Sequence, residues 1–378
     1  MVSALDNLRV VDFSRVLAGP FATMMLADLG ADVTKIERPG VGDDTRAWGP
    51  PWDDAGEATY FQAVNRNKDS VALDFREPAD LETARQLAVD ADVLFENFRP
   101  GVMDRLGLGY DSLKELNPGL VYCSITGFGR KAGADLAGYD FLVQAVGGLM
   151  SITGEPGGGP QKVGVALVDV LTGLFATVGV MAALDHRRRS NVGQRVEVNL
   201  LSSLLAALVN QGSAYTVAGA TPTRMGNAHP SIAPYELLHC SDREIAVAVG
   251  TDRQFASFCE VLGLGELSGD SRFRTNRDRV AHRESLVEIV ESRLGQRDAS
   301  EWVRDLSAQG IPAGLVNDIP AAFALAEDLG LAPIVTVQHP GRSEVALTRN
   351  PIELSATPVR YRSAPPRLPE PAGQRTLS

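Results

Sequence analysis

From residue 8 to residue 125 short β runs alternate with helical stretches, and few architectures accommodate that alternation. The β runs are 8–13, 31–37, 70–75, 92–96 and 120–125, with helices at 20–29 and 78–89, each opened by a proline. Proline suits the first helical position, where its missing N–H is not needed. Strand, helix and strand in this order form a right-handed parallel crossover. The pattern predicts an α/β chain with a large Rossmann-like parallel-sheet domain, extended by a strand at 194–200 and an apolar helix at 201–210. The composition shifts near residues 219–226. Beyond it a hairpin at 235–239 and 244–249 turns across C-S-D-R, and helices follow at 252–262, 276–294 and 300–309. Strands followed by helices predict a smaller α+β domain. The expected divisions are 1–215, 225–328 and 329–378, the last ending in a Pro-rich tail expected to be mobile.

One carboxylate stands out. Residues 170–189, V-L-T-G-L-F-A-T-V-G-V-M-A-A-L-D-H-R-R-R, are apolar on nearly every face and predict a buried helix. Asp169 precedes it, Asn191 and Gly193 stop it, and 137–150 ahead of it reads as a turn and a helix capped by Asp140. Asp169 is then either an ordinary N-cap or a carboxylate kept ionised by the helix dipole and able to attack an acyl carbon. Spacing does not separate these two readings.

Bulk properties narrow the function. A net charge of -11 argues against nucleic-acid binding, while leaving room for an anionic ligand held by local arginines. Cys123, Cys240 and Cys259 form no C-x-x-C and read as reduced thiols. The N-terminal M-V-S-A-L-D-N-L lacks the basic and apolar regions of a signal peptide, so a cytoplasmic protein with no membrane contact is expected.

In an open parallel sheet the ligand sits beyond the carboxyl ends of the strands. Those ends carry Arg15 and Gly19, Arg38 and Gly40, Arg76, Arg99 and Gly101, then Gly127 and Gly129. Guanidiniums and free amides are what a phosphate-bearing ligand needs. The first turn is L-A-G-P-F rather than G-x-G-x-x-G, which excludes a nicotinamide or flavin reading. The 153–160 loop, T-G-E-P-G-G-G-P, lacks the Lys of a P-loop. No G-x-S-x-G or H-E-x-x-H occurs and the histidines do not cluster, so no metal site is expected. His229, in G-N-A-H-P, reads first as a structural histidine, with site lining as the alternative.

The blocks L-R-V-V-D-F-S-R-V-L-A-G-P, K-I-E-R-P-G-V-G-D-D-T-R, N-R-N-K-D-S-V-A-L-D, D-V-L-F-E-N-F-R-P-G-V-M-D-R-L-G, G-Y-D-F, G-V-A-L-V-D-V-L-T-G and G-N-A-H-P-S-I-A-P-Y, in register to about Pro366, carry a resemblance. The chain resembles the class III coenzyme A transferases, a superfamily that includes formyl-CoA transferase, carnitine and bile-acid CoA-transferases and α-methylacyl-CoA racemases. The resemblance implies that Asp169 is the nucleophile and that Val16, Leu17, Ala18, Arg38, Leu73, Asn97, Phe98 and Arg105 contact CoA, with Tyr139 lining the site. It implies an interlocked homodimer whose large domain is built from both chain ends. Acyl-CoA and a carboxylic acid would be substrates, with no tightly bound cofactor, and 127–129 or the helix start would supply oxyanion donors.

Racemases of this superfamily carry His where this chain has Tyr139, and two-base proton transfer needs a group titrating near neutrality. Transfer is therefore expected over racemisation, the alternatives being a racemase-like enzyme or a non-catalytic CoA-binding protein. V-G-T-D-R-Q-F at 249–255 resembles members that draw CoA from succinyl-CoA, and Arg46 is a candidate for holding an acyl carboxylate. One departure is plain: where the family continues after P-P-R-L with G-E-H-T-x-x-V-L, this chain has P-E-P-A-G-Q-R-T-L-S, and activity is expected to survive that change.

Overall fold

A computed structural model describes residues 2–339 and 342–369. The departure after Leu368 falls mainly on residues 370–378, outside the described residues. The chain divides into two compact units. The larger takes the chain as far as Leu149, then Lys162–Ala220 and the part from Ala332 onward; the smaller takes Met150–Gln161 and Thr221–Leu331.

The larger unit is built on a six-stranded sheet, β1 (Arg9–Asp12), β2 (Asp32–Glu37), β3 (Lys68–Ala72), β4 (Val93–Glu96), β5 (Val121–Thr126) and β6 (Arg195–Asn199), in the order β3-β2-β1-β4-β5-β6. Every pairing is parallel. β4 is buried at all four positions, as a strand covered on both faces must be. The Ala18–Asp28 helix crosses from β1 to β2, and its Ala22, Leu26 and Ala27 sit in the core with Val10, Val33, Val93 and Val121.

The helix expected at 170–189 runs from Leu167 to Ser190. It is long and apolar enough to cross a membrane by length and composition. Its Val168, Ala176, Val180, Ala183 and Leu184 instead pack into the sheet's core. Burial is one-sided: Leu174, Phe175, Val178 and Met181 are exposed in the single chain, so the expectation of an all-round buried helix is corrected. The helix passes very close to the Ala18–Asp28 helix at Gly173. A Cβ there would lie 2.6 Å from the Ala18 carbonyl oxygen and 3.1 Å from the Phe21 ring.

The chain end returns to the larger unit as an antiparallel pair, Ile334–His339 with Arg342–Thr348. Asp28 is buried at the hub of its attachment. Arg66 grips it (Nη2 to Oδ2, 2.6 Å) while donating from Nη1 to the Thr348 carbonyl, and Asn350 donates to Asp28 at 3.0 Å. Asn67 donates to the Arg360 carbonyl and its own side-chain oxygen accepts from the Arg362 amide. The stretch from Ser363, expected to be mobile, is pinned as far as Pro366, whose carbonyl accepts from Arg46.

The smaller unit has a three-stranded antiparallel sheet, Tyr235–His239, Glu244–Ala248 and Ala313–Leu315. Its core gathers Phe255, Phe258, Phe273 and Trp302, and the indole N–H of Trp302 donates to the Leu294 carbonyl. The helix expected at 276–294 is broken at His282 into Asn276–Ala281 and Arg283–Leu294. The short strand at 313–315 and the Ile319–Asp328 helix were not expected from the sequence pattern.

Gly173→Val places a side chain against backbone, where nothing can swing aside. Overpacking of this kind costs about 1–3 kcal/mol. The variant is expected to melt several degrees below wild type in a calorimetric scan.

Candidate active site

The strand order reverses between β1 and β4, and a cleft opens beyond their carboxyl ends. It is lined by Arg15, Val16, Leu17 and Ala18 after β1, by Asn97 and Phe98 after β4, by residues 126–129 after β5, and by Tyr139 and Asp169. Gly127 and Gly138 allow two of these segments to touch, since a Cβ on Gly138 would sit 2.3 Å from the Gly127 Cα.

Buried charges beneath the cleft hold the loop after β1 in place. Asp12, Lys35, Lys68 and Asp43 are all almost wholly buried. Lys68 pairs with Asp12 at 3.1 Å and Lys35 with Asp43 at 2.9 Å. Each also holds backbone: Lys35 donates to the Ser14 carbonyl, Lys68 to the Pro20 carbonyl, and Asp43 accepts from the Val16 amide. Asn97 closes the loop from the β4 side, accepting from the Arg15 amide and donating to the Arg15 carbonyl. Val16 is thereby kept at φ 71, a left-handed conformation that a β-branched residue adopts only under constraint. Burial works against the Asp12 carboxylate, but Lys68 and Lys35 outweigh it and hold it below the ordinary range. Burial pushes Lys68 down to about 8.

Asp169 is not the N-cap. The cap position is Ala166, which offers no side-chain acceptor, and Asp169 lies in the first helical turn. The capping is done by Asp140, whose Oδ1 accepts from the amides of Val168 (2.7 Å) and Asp169 (3.2 Å). Asp140 itself begins its own helix, Asp140–Val146, instead of capping it. With an acceptor reaching across from another helix, the Leu167–Ser190 helix starts a turn earlier than its sequence suggests. The helix-start amides expected to favour an ionised Asp169 are occupied by Asp140. Burial, and then the Asp140 charge, push the Asp169 carboxyl up to about 7. Tyr60, which no motif singled out, is held above the usual phenol range by burial and then by the charges of Asp169 and Asp140.

These features meet a clear match among known proteins. The model of CoA-transferase family III matches residues 5–372. The chain belongs to this family. It is an enzyme, a CoA-transferase of class III. It is 42% identical over 97% of its length, and 93% of the relative's, to a succinate–glutarate CoA-transferase of Agrobacterium fabrum. It is 38% identical to an acetyl-CoA:oxalate CoA-transferase of Acetobacter aceti, covering 93% of this chain and 89% of that one. A crystal structure of a CaiB/BaiF family protein from Brucella suis has 43% identity and a TM-score of 0.86, covering 97% of each chain. The parallel-sheet α/β fold with a smaller α+β unit agrees with that neighbour.

The remaining expected residues of this CoA-transferase divide into groups. Val16, Leu17, Ala18, Asn97, Phe98 and Tyr139 come together with Asp169 in the one cleft. Arg38 and Leu73 line an adjoining groove with Phe13, Phe75 and Arg76, and the two depressions share Arg15 and Phe98. Arg105 lines neither; it is exposed at the end of the Val102–Arg105 helix. Arg46 is engaged by both Glu37 oxygens at 2.7 Å and stacks on Phe61, so it is not free to hold a substrate carboxylate. Its role is to complete the buried charge network. His229 belongs to the smaller unit, where its Nδ1 accepts from the Ser231 amide and its ring meets Tyr235. Of the expected oxyanion donors, the Gly129 amide is taken by Thr126 Oγ1 and the helix-start amides by Asp140. Among the described residues no group of three or more His, Cys, Asp or Glu could hold a metal.

Asp43→Ala removes the partner of a buried Lys35 and the acceptor for the Val16 amide. Stranding a buried charge costs about 3–5 kcal/mol. Urea unfolding is expected to show that loss, and thioester affinity is expected to fall with it as the loop relaxes.

Proposed function

We propose that this enzyme moves CoA from an acyl-CoA donor to a carboxylic acid acceptor with Asp169 as the nucleophile. The observation that carries the reading is the placement of Asp169 in the switch-point cleft, facing Val16, Leu17, Ala18, Asn97, Phe98 and Tyr139. The CoA nucleotide would occupy the Arg38 and Leu73 groove, and the pantetheine arm would pass Phe98 toward Asp169. Arg15 and Phe98 line both depressions, which supports one continuous path.

The steps follow from carboxylate chemistry. An Asp169 oxygen attacks the thioester carbonyl; the C–S bond breaks and CoA leaves as thiolate, giving a mixed anhydride. The thiolate attacks the Asp169 carbonyl carbon, releasing the donor acid and leaving an aspartyl-CoA thioester. The acceptor carboxylate attacks that thioester and expels CoA thiolate, forming a second anhydride. The thiolate then takes the acceptor's acyl group and frees the Asp169 carboxylate. The activation of the original thioester is retained throughout, so the reaction needs no resident cofactor. A racemase-type reading has less support, because no histidine lines the cleft among the described residues.

The relative named for succinate and glutarate favours succinyl-CoA as donor, and the relatives named for glutarate and oxalate favour a dicarboxylic acid as acceptor. The exposed stripe of Leu174, Phe175, Val178 and Met181 supports a homodimer, because an apolar face of this kind is stable in water only when covered. A cytoplasmic location fits the free Cys123, Cys240 and Cys259.

Intact mass after incubation with succinyl-CoA is expected to show a succinyl or CoA adduct on wild type and none on Asp169→Ala; equal labelling of both would reject the nucleophile assignment. Sedimentation velocity is expected to give a dimer, and Val178→Glu a shift toward monomer.

A further inference from the structure

The start of the Leu167–Ser190 helix holds two carboxylates where one would serve. A single acid at a helix start is stabilised by the free amides of the first turn. Here those amides are occupied by Asp140, at 2.7 Å from Val168 and 3.2 Å from Asp169. Asp169 therefore receives the repulsion of a second carboxylate without the amides that would offset it.

The second carboxylate is firmly held. Asp140 is 9% exposed, and its Oδ2 accepts from the Gln144 side chain at 2.6 Å. Gln144 is fully buried and its Oε1 accepts from the Val163 amide at 2.9 Å. Asp140 and Gln144 together thus grip the strand of chain leading into Asp169 at both ends. Tyr60 and Tyr139 are the other titratable groups near Asp169, and Arg15, Arg99 and Asp44 line the same cleft. Arg15 is turned onto the Phe98 ring and toward Asp44. Among the described residues no cation pairs with Asp140 or Asp169.

We propose that Asp140 is a positioning residue for the Asp169 nucleophile, fixing its backbone and setting a charge against it that acylation relieves. When Asp169 attacks, a C–O bond forms, the C–S bond breaks, and the negative charge leaves on the CoA thiolate. Asp169 is then neutral and the repulsion at the helix start is gone. The same geometry that makes the resting carboxylate unfavourable makes the acylated state favourable. It also keeps the attacking carboxylate more basic, and so more nucleophilic, than an exposed aspartate. The elevated protonation point of Asp169 described above agrees with this arrangement.

This inference rests on Asp169 being the nucleophile, and the test separates the two. Adduct formation from succinyl-CoA is followed by intact mass from about pH 5 to 9 for wild type, Asp140→Asn and Asp169→Ala. An Asn side-chain oxygen can still accept from the two amides but carries no charge; its NH2 cannot accept from Gln144, so Gln144→Leu, which removes that hydrogen bond and leaves the Asp140 charge, is run beside it. Wild-type labelling is expected to rise with pH through about 7 as Asp169 loses its proton. For Asp140→Asn the midpoint is expected to move down by roughly one unit or more, and the plateau rate to fall several-fold. The adduct fraction at equilibrium is expected to fall as well. Asp140→Ser, which removes the charge with a shorter side chain, carries the same expected midpoint shift should the Asn variant not fold. A folded, labelling variant whose midpoint equals that of wild type overturns the role of Asp140 and leaves Asp169 as nucleophile. An Asp169→Ala variant that labels as wild type does removes the nucleophile and this role together.

Discussion

The ion network below the sheet's carboxyl edge is the constraint on which the cleft depends. Asp12, Glu37 and Asp43 face Lys35, Lys68 and Arg46, with Asp12, Lys35 and Lys68 wholly enclosed. Burying such charges is expensive, and a well-packed apolar core would be at least as stable. What an apolar core could not do is hold backbone. The lysines donate to the Ser14 and Pro20 carbonyls, and Asp43 takes the Val16 amide. The network converts a flexible strand-end loop into a rigid wall for a ligand.

From that wall the geometry passes to Asp169 through close backbone contact. Gly173 lets the Leu167–Ser190 helix approach the Ala18 carbonyl, and Gly138 lets the segment before Asp140 lie against Gly127. Three glycines without side chains thus let two pairs of segments lie in close backbone contact. The small size of these residues is what their positions require, more than their backbone freedom. The neighbouring Asp28 hub does similar work for the chain end, drawing Arg66, Asn350 and the Thr348 carbonyl onto one buried region. In both places charge or close packing is used to fix chain segments that hydrophobic burial would leave free to slide.

Much of this was legible in the residues. The alternation of β runs and helices gave the parallel sheet, because side-chain periodicity and proline placement are local properties. The crevice position followed from the rule that ligands sit beyond the carboxyl ends of parallel strands, and the residues at strand ends then named most of the cleft. Helix boundaries were read less well where a partner in space replaces a local cap: the helix start at Leu167 depends on Asp140, 29 residues before Asp169. The occupation of the helix-start amides by Asp140 was illegible for the same reason. Arg46 looked available in the sequence and is fully engaged by Glu37, a pairing invisible until the loop folds back on β2.

The sequence by itself determined the fold class and the family, since these reside in local pattern and in motif blocks that survive without coordinates. The tertiary structure alone decided which amides are already occupied, which arginines are free, which face of the apolar helix remains exposed, and that a second carboxylate stands against Asp169. Those are properties of distance between residues remote in the chain, and burial strengthens them far beyond what the same charges would show in water.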